Sequence, residues 1–280
     1  MATDPSAPAP APAPASVDLY NAAYGQYSAD AQQAVRAATY GQDLGQTGWM
    51  TADELQHFST LLKLTPTSQV LEVGSGSGGP ALHLADTVGC TITGLDVNAF
   101  GVRTAQEQAA QRHLDDRAQF QVIDAGQALP FDPDSFDAVI CNDAVCHIPG
   151  RAGLLAEWFR VLRPGGLMLF TDAMVITGVV SHEEIARRSS IGTYFYLPPG
   201  ENERLIGEAG FELVGREDRT AAAAAISGRW HDARASHRDA LLATEGEAQF
   251  AGLQAFLWCV HTLTAERRLS RYMYLARKPD

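Results

Sequence analysis

An acid placed two residues ahead of a glycine-dense turn is the first feature of this chain whose residue types and spacing suggest chemistry. Val70-Leu71-Glu72-Val73 runs directly into Gly74-Ser75-Gly76-Ser77-Gly78-Gly79-Pro80. Glycines at such a turn let the backbone bend sharply and let a ligand approach within van der Waals distance, and Pro80 suits a first helical turn. Gly74, Gly76 and Gly79 satisfy G-x-G-x-x-G spacing, which alone fits several nucleotide ligands. Asp96 closes the next apolar run, where a carboxylate can accept both hydroxyls of a ribose. Together these residues indicate a nucleoside-bearing ligand and leave its identity open.

Three further features narrow the choice. Glu72 stands where a dinucleotide site carries an apolar residue, and a carboxylate there can hold the ammonium of a methionine moiety, directly or through water. Asp124 follows Val122-Ile123 and places an acceptor where an adenine amino group would sit. Leu129-Pro130-Phe131-Asp132 then leads into Phe136-Asp137-Ala138-Val139-Ile140, and later Val161-Leu162-Arg163-Pro164-Gly165-Gly166-Leu167 follows. The series leans towards S-adenosylmethionine. A nicotinamide-dependent oxidoreductase uses the same glycine spacing but gives Glu72, Asp124 and the Arg163-Pro164-Gly165-Gly166 turn no role. A protein that binds S-adenosylmethionine without transferring its methyl group, such as a cyclase-like enzyme, remains compatible, because cofactor motifs report binding and not chemistry.

These residues need a scaffold that brings strand ends together. Apolar runs at residues 69–73, 91–96, 118–123, 136–141 and 167–171 each precede a helix-compatible stretch, which implies a parallel sheet covered on both faces. Before them, residues 17–68 form a helical N-terminal segment, with helix-compatible runs at 29–39 and 52–64 around a glycine-punctuated loop. The core runs over 69–220. A long helix-prone stretch, 221–268, is expected to be a two-helix cap inserted before a last strand in 269–280. Residues 1–16, an alternation of Ala and Pro, are expected to form a disordered tail.

With these elements in place, the chain resembles the class I S-adenosylmethionine-dependent methyltransferases over nearly all of residues 69–211. Within them it is most similar to the small-molecule group containing phosphoethanolamine and sarcosine/dimethylglycine N-methyltransferases. That narrower likeness rests on Gly48-Trp49-Met50-Thr51, on Asn142-Asp143-Ala144-Val145-Cys146-His147-Ile148, and on the two-helix insertion. The resemblance implies a doubly wound, Rossmann-like α/β fold with a seven-stranded, mostly parallel sheet whose last strand is antiparallel. It implies that Glu72, Gly74 and Gly76 border the methionine part of the cofactor, Asp96 and Val97 the ribose and adenine edge, Asp124 and Ala125 the adenine, and Asn142 the methionine end. Thr51 and a tyrosine among Tyr24, Tyr27 and Tyr40 would close the site.

The resemblance also implies methyl transfer to a nitrogen or oxygen of a small-molecule acceptor. The cofactor's methyl is already activated, so the main task is orientation. His147, beyond the fourth strand, is the candidate base, since an imidazole changes protonation near neutral pH. In the resembling N-methyltransferases a matching histidine pairs with an N-terminal tyrosine, which makes Tyr24 or Tyr27 its candidate partner. In the cap, Arg229, His231, Arg234 and His237 could face an acidic substrate, although a solvated helix face also explains their spacing.

Charge and composition exclude other classes. Thirty-three acids against 21 Lys and Arg give a net charge of −12, which repels a phosphate backbone and argues against a nucleic-acid partner. The Asn-Asp-Ala-Val after the fourth strand also departs from the Asn-Pro-Pro-Tyr type of many DNA and protein amino-group methylases. No apolar run reaches the ~20 residues that span a bilayer, and no signal peptide opens the chain, so no membrane partner and a cytoplasmic location are expected. Cys90, Cys141, Cys146 and Cys259 lack the C-x-x-C spacing of zinc or redox sites, and no metal site is expected.

Overall fold

The computed structural model describes residues 18–280; the expected tail at 1–16 lies outside them. Seven strands form one sheet in the order β3-β2-β1-β4-β5-β7-β6. β1 (Gln69–Val73), β2 (Thr91–Asp96), β3 (Ala118–Val122), β4 (Phe136–Cys141) and β5 (Leu162–Ile176) are parallel. β7 (Leu269–Arg277) inserts antiparallel between β5 and β6 (Glu212–Asp218). The strand order reverses outward from β1, so the carboxyl ends of β1, β2 and β4 flank a crevice of the kind that binds ligands in open α/β sheets.

The buried strands explain why apolar runs, and not simple alternation, marked them. Val70, Ile92, Ala138, Ile140 and Leu169 pack on one face, with Leu55 and Phe58 of α3 (Ala52–Leu61), Leu82 of α4 (Gly79–Thr87) and Val102 of α5 (Ala99–Gln111). Leu71, Val73, Val139, Cys141, Met168 and Phe170 pack on the other, with Leu155 and Trp158 of α6 (Arg151–Val161) and Ile206 of α8 (Glu201–Glu208). Both faces of each central strand are dry, and each large apolar side chain so buried contributes about 1.5–3 kcal/mol.

β5 is longer than the expected 167–171. It begins at Leu162, where the backbone amide of Gly165 donates to Lys278 O at 2.9 Å, and it continues because antiparallel pairing with β7 reaches Ile176. β6 likewise reaches Asp218 through its ladder with β7.

The stretch after β6 contains α9 (Thr220–Ser236) and α10 (Arg238–Ala265), the second broken at Gly246, whose φ of 76° is non-helical. These helices pack against α1 (Leu19–Gly25) and α2 (Asp30–Tyr40) through Leu19, Val35, Tyr40, Trp230, Phe250 and Phe256. α7 (His182–Arg188) begins in a Ser181/Glu184 capping box, where each side chain satisfies the other's main-chain amide. No helix among the described residues is long and apolar enough to cross a membrane. All four cysteines are buried and unpaired.

Candidate functional site

The turn after β1 has the backbone that its glycines permit. Gly74, Gly76 and Gly78 take φ of 77°, 53° and 78°, in the left-handed region. A Cβ on Gly74 would stand 2.2 Å from Cβ of Ala144, and one on Gly76 would stand 2.6 Å from the Tyr24 hydroxyl. The turn is therefore clasped between the loop after β4 and the N-terminal segment. Asp96 locks it from the side, because its Oδ2 accepts the Gly76 amide at 2.8 Å and its Oδ1 accepts the Asn98 amide at 2.8 Å. Burial raises the Asp96 carboxyl against these hydrogen bonds, which lower it.

Glu72 lies just below this turn and is 3% exposed, with no hydrogen-bond partner for Oε2. Desolvation, assisted by the nearby charge of Asp96, pushes its carboxyl up to about 8. A buried carboxyl with an unused oxygen is costly unless a donor or cation completes it. This is the chemistry expected of a group that awaits an ammonium, so the residues present fit an aminoacyl-nucleoside cofactor.

Above the turn a cavity of about 320 Å³ opens at the carboxyl ends of the strands. Its wall brings together Gly74, Asp96 and Val97 from β1 and β2, and Asp124 and Ala125 after β3. Asn142 and His147 after β4 and Tyr24 from α1 complete the predicted residues found there. Asp124 shapes its own turn, since its Oδ1 accepts the Gly126 amide at 2.9 Å. Val97, 68% exposed, and Ile123 add apolar surface to the lining. Glu72 and Gly76, also expected at the cofactor, are not among the residues that line the cavity. Among the described residues no cluster of His, Cys, Asp or Glu is arranged to hold a metal ion.

His147 is fixed on both ring nitrogens. Nδ1 lies 2.9 Å from the carbonyl of Thr193, and a carbonyl only accepts, so Nδ1 carries a proton. Nε2 lies 3.0 Å from the Tyr20 hydroxyl, and in the neutral ring it accepts the Tyr20 proton. Desolvation, opposed by the Thr193 bond, pushes His147 down to about 4 and keeps it neutral. Burial raises the Tyr20 hydroxyl well above its ordinary value. Tyr194 packs at a tilt against the ring, with its centroid 4.2 Å away.

The histidine's partner is thus Tyr20, and not the expected Tyr24 or Tyr27. Tyr27 is not at the cavity: it lies under the Arg36 guanidinium, 4.3 Å from its ring centroid, and fills the space beside Gly45. Tyr40 donates its hydroxyl to Gly48 O at 2.9 Å and so shapes the closing loop from outside. Tyr24 lines the cavity and bonds Thr47 Oγ1 at 3.2 Å. The signal for Tyr20 was its position one helical turn before Tyr24, which puts both rings on one face of α1, 6.1 Å apart.

Thr51 also moves from the expected site. Its side chain caps α3 by accepting the Glu54 amide at 3.2 Å, a role open to any Ser, Thr, Asp or Asn before a helix. Gly48, three residues earlier, is the member of that motif that reaches the cavity, while Trp49 packs in the core against Trp230 and Phe256.

The cationic residues of the cap do not form a face for an acidic substrate. Arg229 donates to Thr39 O at 2.6 Å, Arg234 pairs with Glu245 at 2.6 Å, His237 bonds Ala233 O and His231 pairs with Asp232. Arg229 and Arg234 thus join helices, His237 caps α9, and His231 pairs only with its neighbour in the chain.

A family model described as a methyltransferase domain matches residues 71–170. The chain is 31% identical over 163 residues to the sterol 24-C-methyltransferase erg6 of Schizosaccharomyces pombe, an overlap of 56% of this chain and 43% of that one. It therefore spans less than half the length of that relative. Among solved structures, a phosphoethanolamine N-methyltransferase 2 of Haemonchus contortus superposes with a TM-score of 0.78 at 21% identity, covering 94% of this chain and 61% of the other. The cyclase SpnF superposes with a TM-score of 0.69 at 22% identity, covering 95% and 99%. At these identities the structural likeness establishes the fold.

Proposed function

We propose that this chain, whose residues 71–170 match a methyltransferase domain, is a class I S-adenosylmethionine-dependent methyltransferase that transfers a methyl group to a nitrogen or oxygen of a small-molecule acceptor. The observation that carries this reading is the meeting, in one cavity, of the Asp96-locked glycine turn with the Tyr20–His147 pair.

Glu72, beneath Gly74 and Gly76, would hold the ammonium of the cofactor, with Asn142 at the same end. Asp96 would take the ribose hydroxyls with the lone pairs its two main-chain bonds leave free, and Val97 and Ile123 would flank the base, with Asp124 and Ala125 at its edge. S-adenosylmethionine supplies, when bound, a methyl carbon activated by its sulfonium. The chain's own task is then to hold an acceptor and manage its proton. Neutral His147 can take a proton through Tyr20, which lines the cavity with it and is hydrogen-bonded to its Nε2, and Thr193 O steadies the imidazolium that results. Tyr24 and Gly48, which line the same cavity, would help exclude water from it.

Calorimetry with S-adenosylmethionine, S-adenosylhomocysteine and NADPH tests the cofactor. Micromolar binding of the first two alone is expected, and binding of NADPH alone would overturn it. Release of S-adenosylhomocysteine on incubation with amines and phenols tests the transfer. Cofactor binding with no release across the acceptor panel would favour a non-transferring relative of the cyclase kind.

A further inference from the structure

Asn142 and Asp143, which leave β4 into the cavity wall, are both held from behind by one arginine on the last strand. Arg271 is fully buried. Its Nε donates to Asp143 Oδ1 at 2.7 Å, its Nη2 to Asn142 Oδ1 at 3.0 Å, and its Nη1 to Glu54 Oε1 and Oε2 at 2.8 and 3.0 Å. Two carboxylates at this range compensate the buried charge.

The contact with Asn142 fixes more than a distance. A guanidinium only donates, so the atom of the Asn142 amide that faces it is the oxygen. The Thr171 hydroxyl, which accepts the Asp143 amide at 2.8 Å, lies 3.0 Å from the same oxygen. Turning the amide over would set its NH2 against the guanidinium. Nδ2 is therefore left on the side of Gly48, 3.3 Å from where a Cβ on that residue would stand, and both residues line the cavity. No acceptor among the described residues takes its protons. The same arginine steadies the Gly48–Trp49 loop beside it, since Asp143, with φ of 54°, accepts the Trp49 amide on Oδ2 at 2.9 Å.

We infer that Arg271 is a positioning residue which turns the Asn142 amide so that Nδ2 is a hydrogen-bond donor into the cavity, for a carboxylate at the amino-acid end of the ligand. The inference rests on the proposed function, which places that end of the cofactor at Asn142.

The test compares S-adenosylhomocysteine, which carries the carboxylate, with methylthioadenosine, which lacks the whole amino-acid end, by calorimetry on the full chain. Asn142→Asp keeps an oxygen for Arg271 and removes the donor. It is expected to weaken S-adenosylhomocysteine roughly tenfold or more and to leave methylthioadenosine within about twofold. Arg271→Lys is expected to have a similar selective effect that disappears in an Asn142→Ala background, as coupled residues require. Equal loss of both ligands, or an undiminished effect of Arg271→Lys in that background, would overturn the inference in favour of a purely structural arginine. Should Arg271→Lys not fold, Asn142→Asp decides alone, and unchanged S-adenosylhomocysteine affinity overturns the donor assignment. A wild-type chain that binds neither ligand would instead overturn the functional reading beneath it.

Discussion

The Tyr20 hydroxyl and Nε2 of His147 lie 3.0 Å apart although the residues are 127 positions apart in the chain. One comes from the first described helix and the other from the turn after β4, so the pair exists only when the N-terminal segment is closed over the sheet.

Replacing Tyr20 with Phe removes the hydroxyl and keeps the ring. Turnover, followed by S-adenosylhomocysteine release with any acceptor that supports it, should fall roughly 10²-fold, with S-adenosylhomocysteine affinity little changed. Tyr27→Phe should leave turnover within about twofold, because that ring packs under Arg36 away from the cavity. Equal effects of the two changes would refute the assignment of Tyr20.

Glu72, raised to about 8 by burial, holds its proton at pH 7. A cationic ammonium beside it favours the carboxylate, so cofactor binding at pH 7 should release close to one proton. Binding enthalpies measured in Tris and in phosphate should then differ, and the difference should vanish in Glu72→Gln. In the free chain the folded value lies above the ordinary 4.5. The corresponding stability is present in full below about 4.5 and is lost as pH rises through about 8. Glu72→Gln should therefore gain melting temperature relative to wild type at pH 8 to 9 and not at pH 4.

Thr51 accepts the Glu54 amide at the start of α3. Thr51→Ala should cost about 1 kcal/mol of unfolding free energy, and Thr51→Ser should restore most of it. Denaturant unfolding measures the loss, and calorimetry should find cofactor affinity within about threefold for both. Affinity lost in Thr51→Ala and not recovered in Thr51→Ser would return Thr51 to the site.

Gly79 opens α4 against the closing loop, and a Cβ there would stand 1.6 Å from the carbonyl oxygen of Leu44. Backbone cannot swing aside as a side chain can, so Gly79→Ala should destabilise the fold by about 3 kcal/mol. Gly207, with open space at its Cβ, provides the control: Gly207→Ala should be neutral or slightly stabilising. Similar melting temperatures for the two variants would show that the loop does not pack on α4 as described.

The residues legible in the amino-acid order are those whose role is local. A glycine turn between strand and helix, and an acid at the end of each of the next two strands, are set by backbone sterics and by the period of buried strands. Gly74, Gly76, Asp96, Asp124 and the parallel direction of β1 to β5 can therefore be read from spacing alone. Tyr20 and Arg271 cannot, and Thr51, although its role is local, is ambiguous. Which tyrosine of the N-terminal segment meets His147 depends on how α1 lies over α5 and the sheet, and Thr51 has the composition of a cap and of a ligand contact alike. Arg271 reaches Asn142 only because β7 turns back antiparallel beside β5, a long-range pairing that no local pattern encodes. Local pattern thus sets the turn, the strands and the acids. Tertiary packing decides which side chains face the cavity and which hold the wall, because hydrogen-bond partners over a hundred residues apart are chosen by the closed shape of the chain.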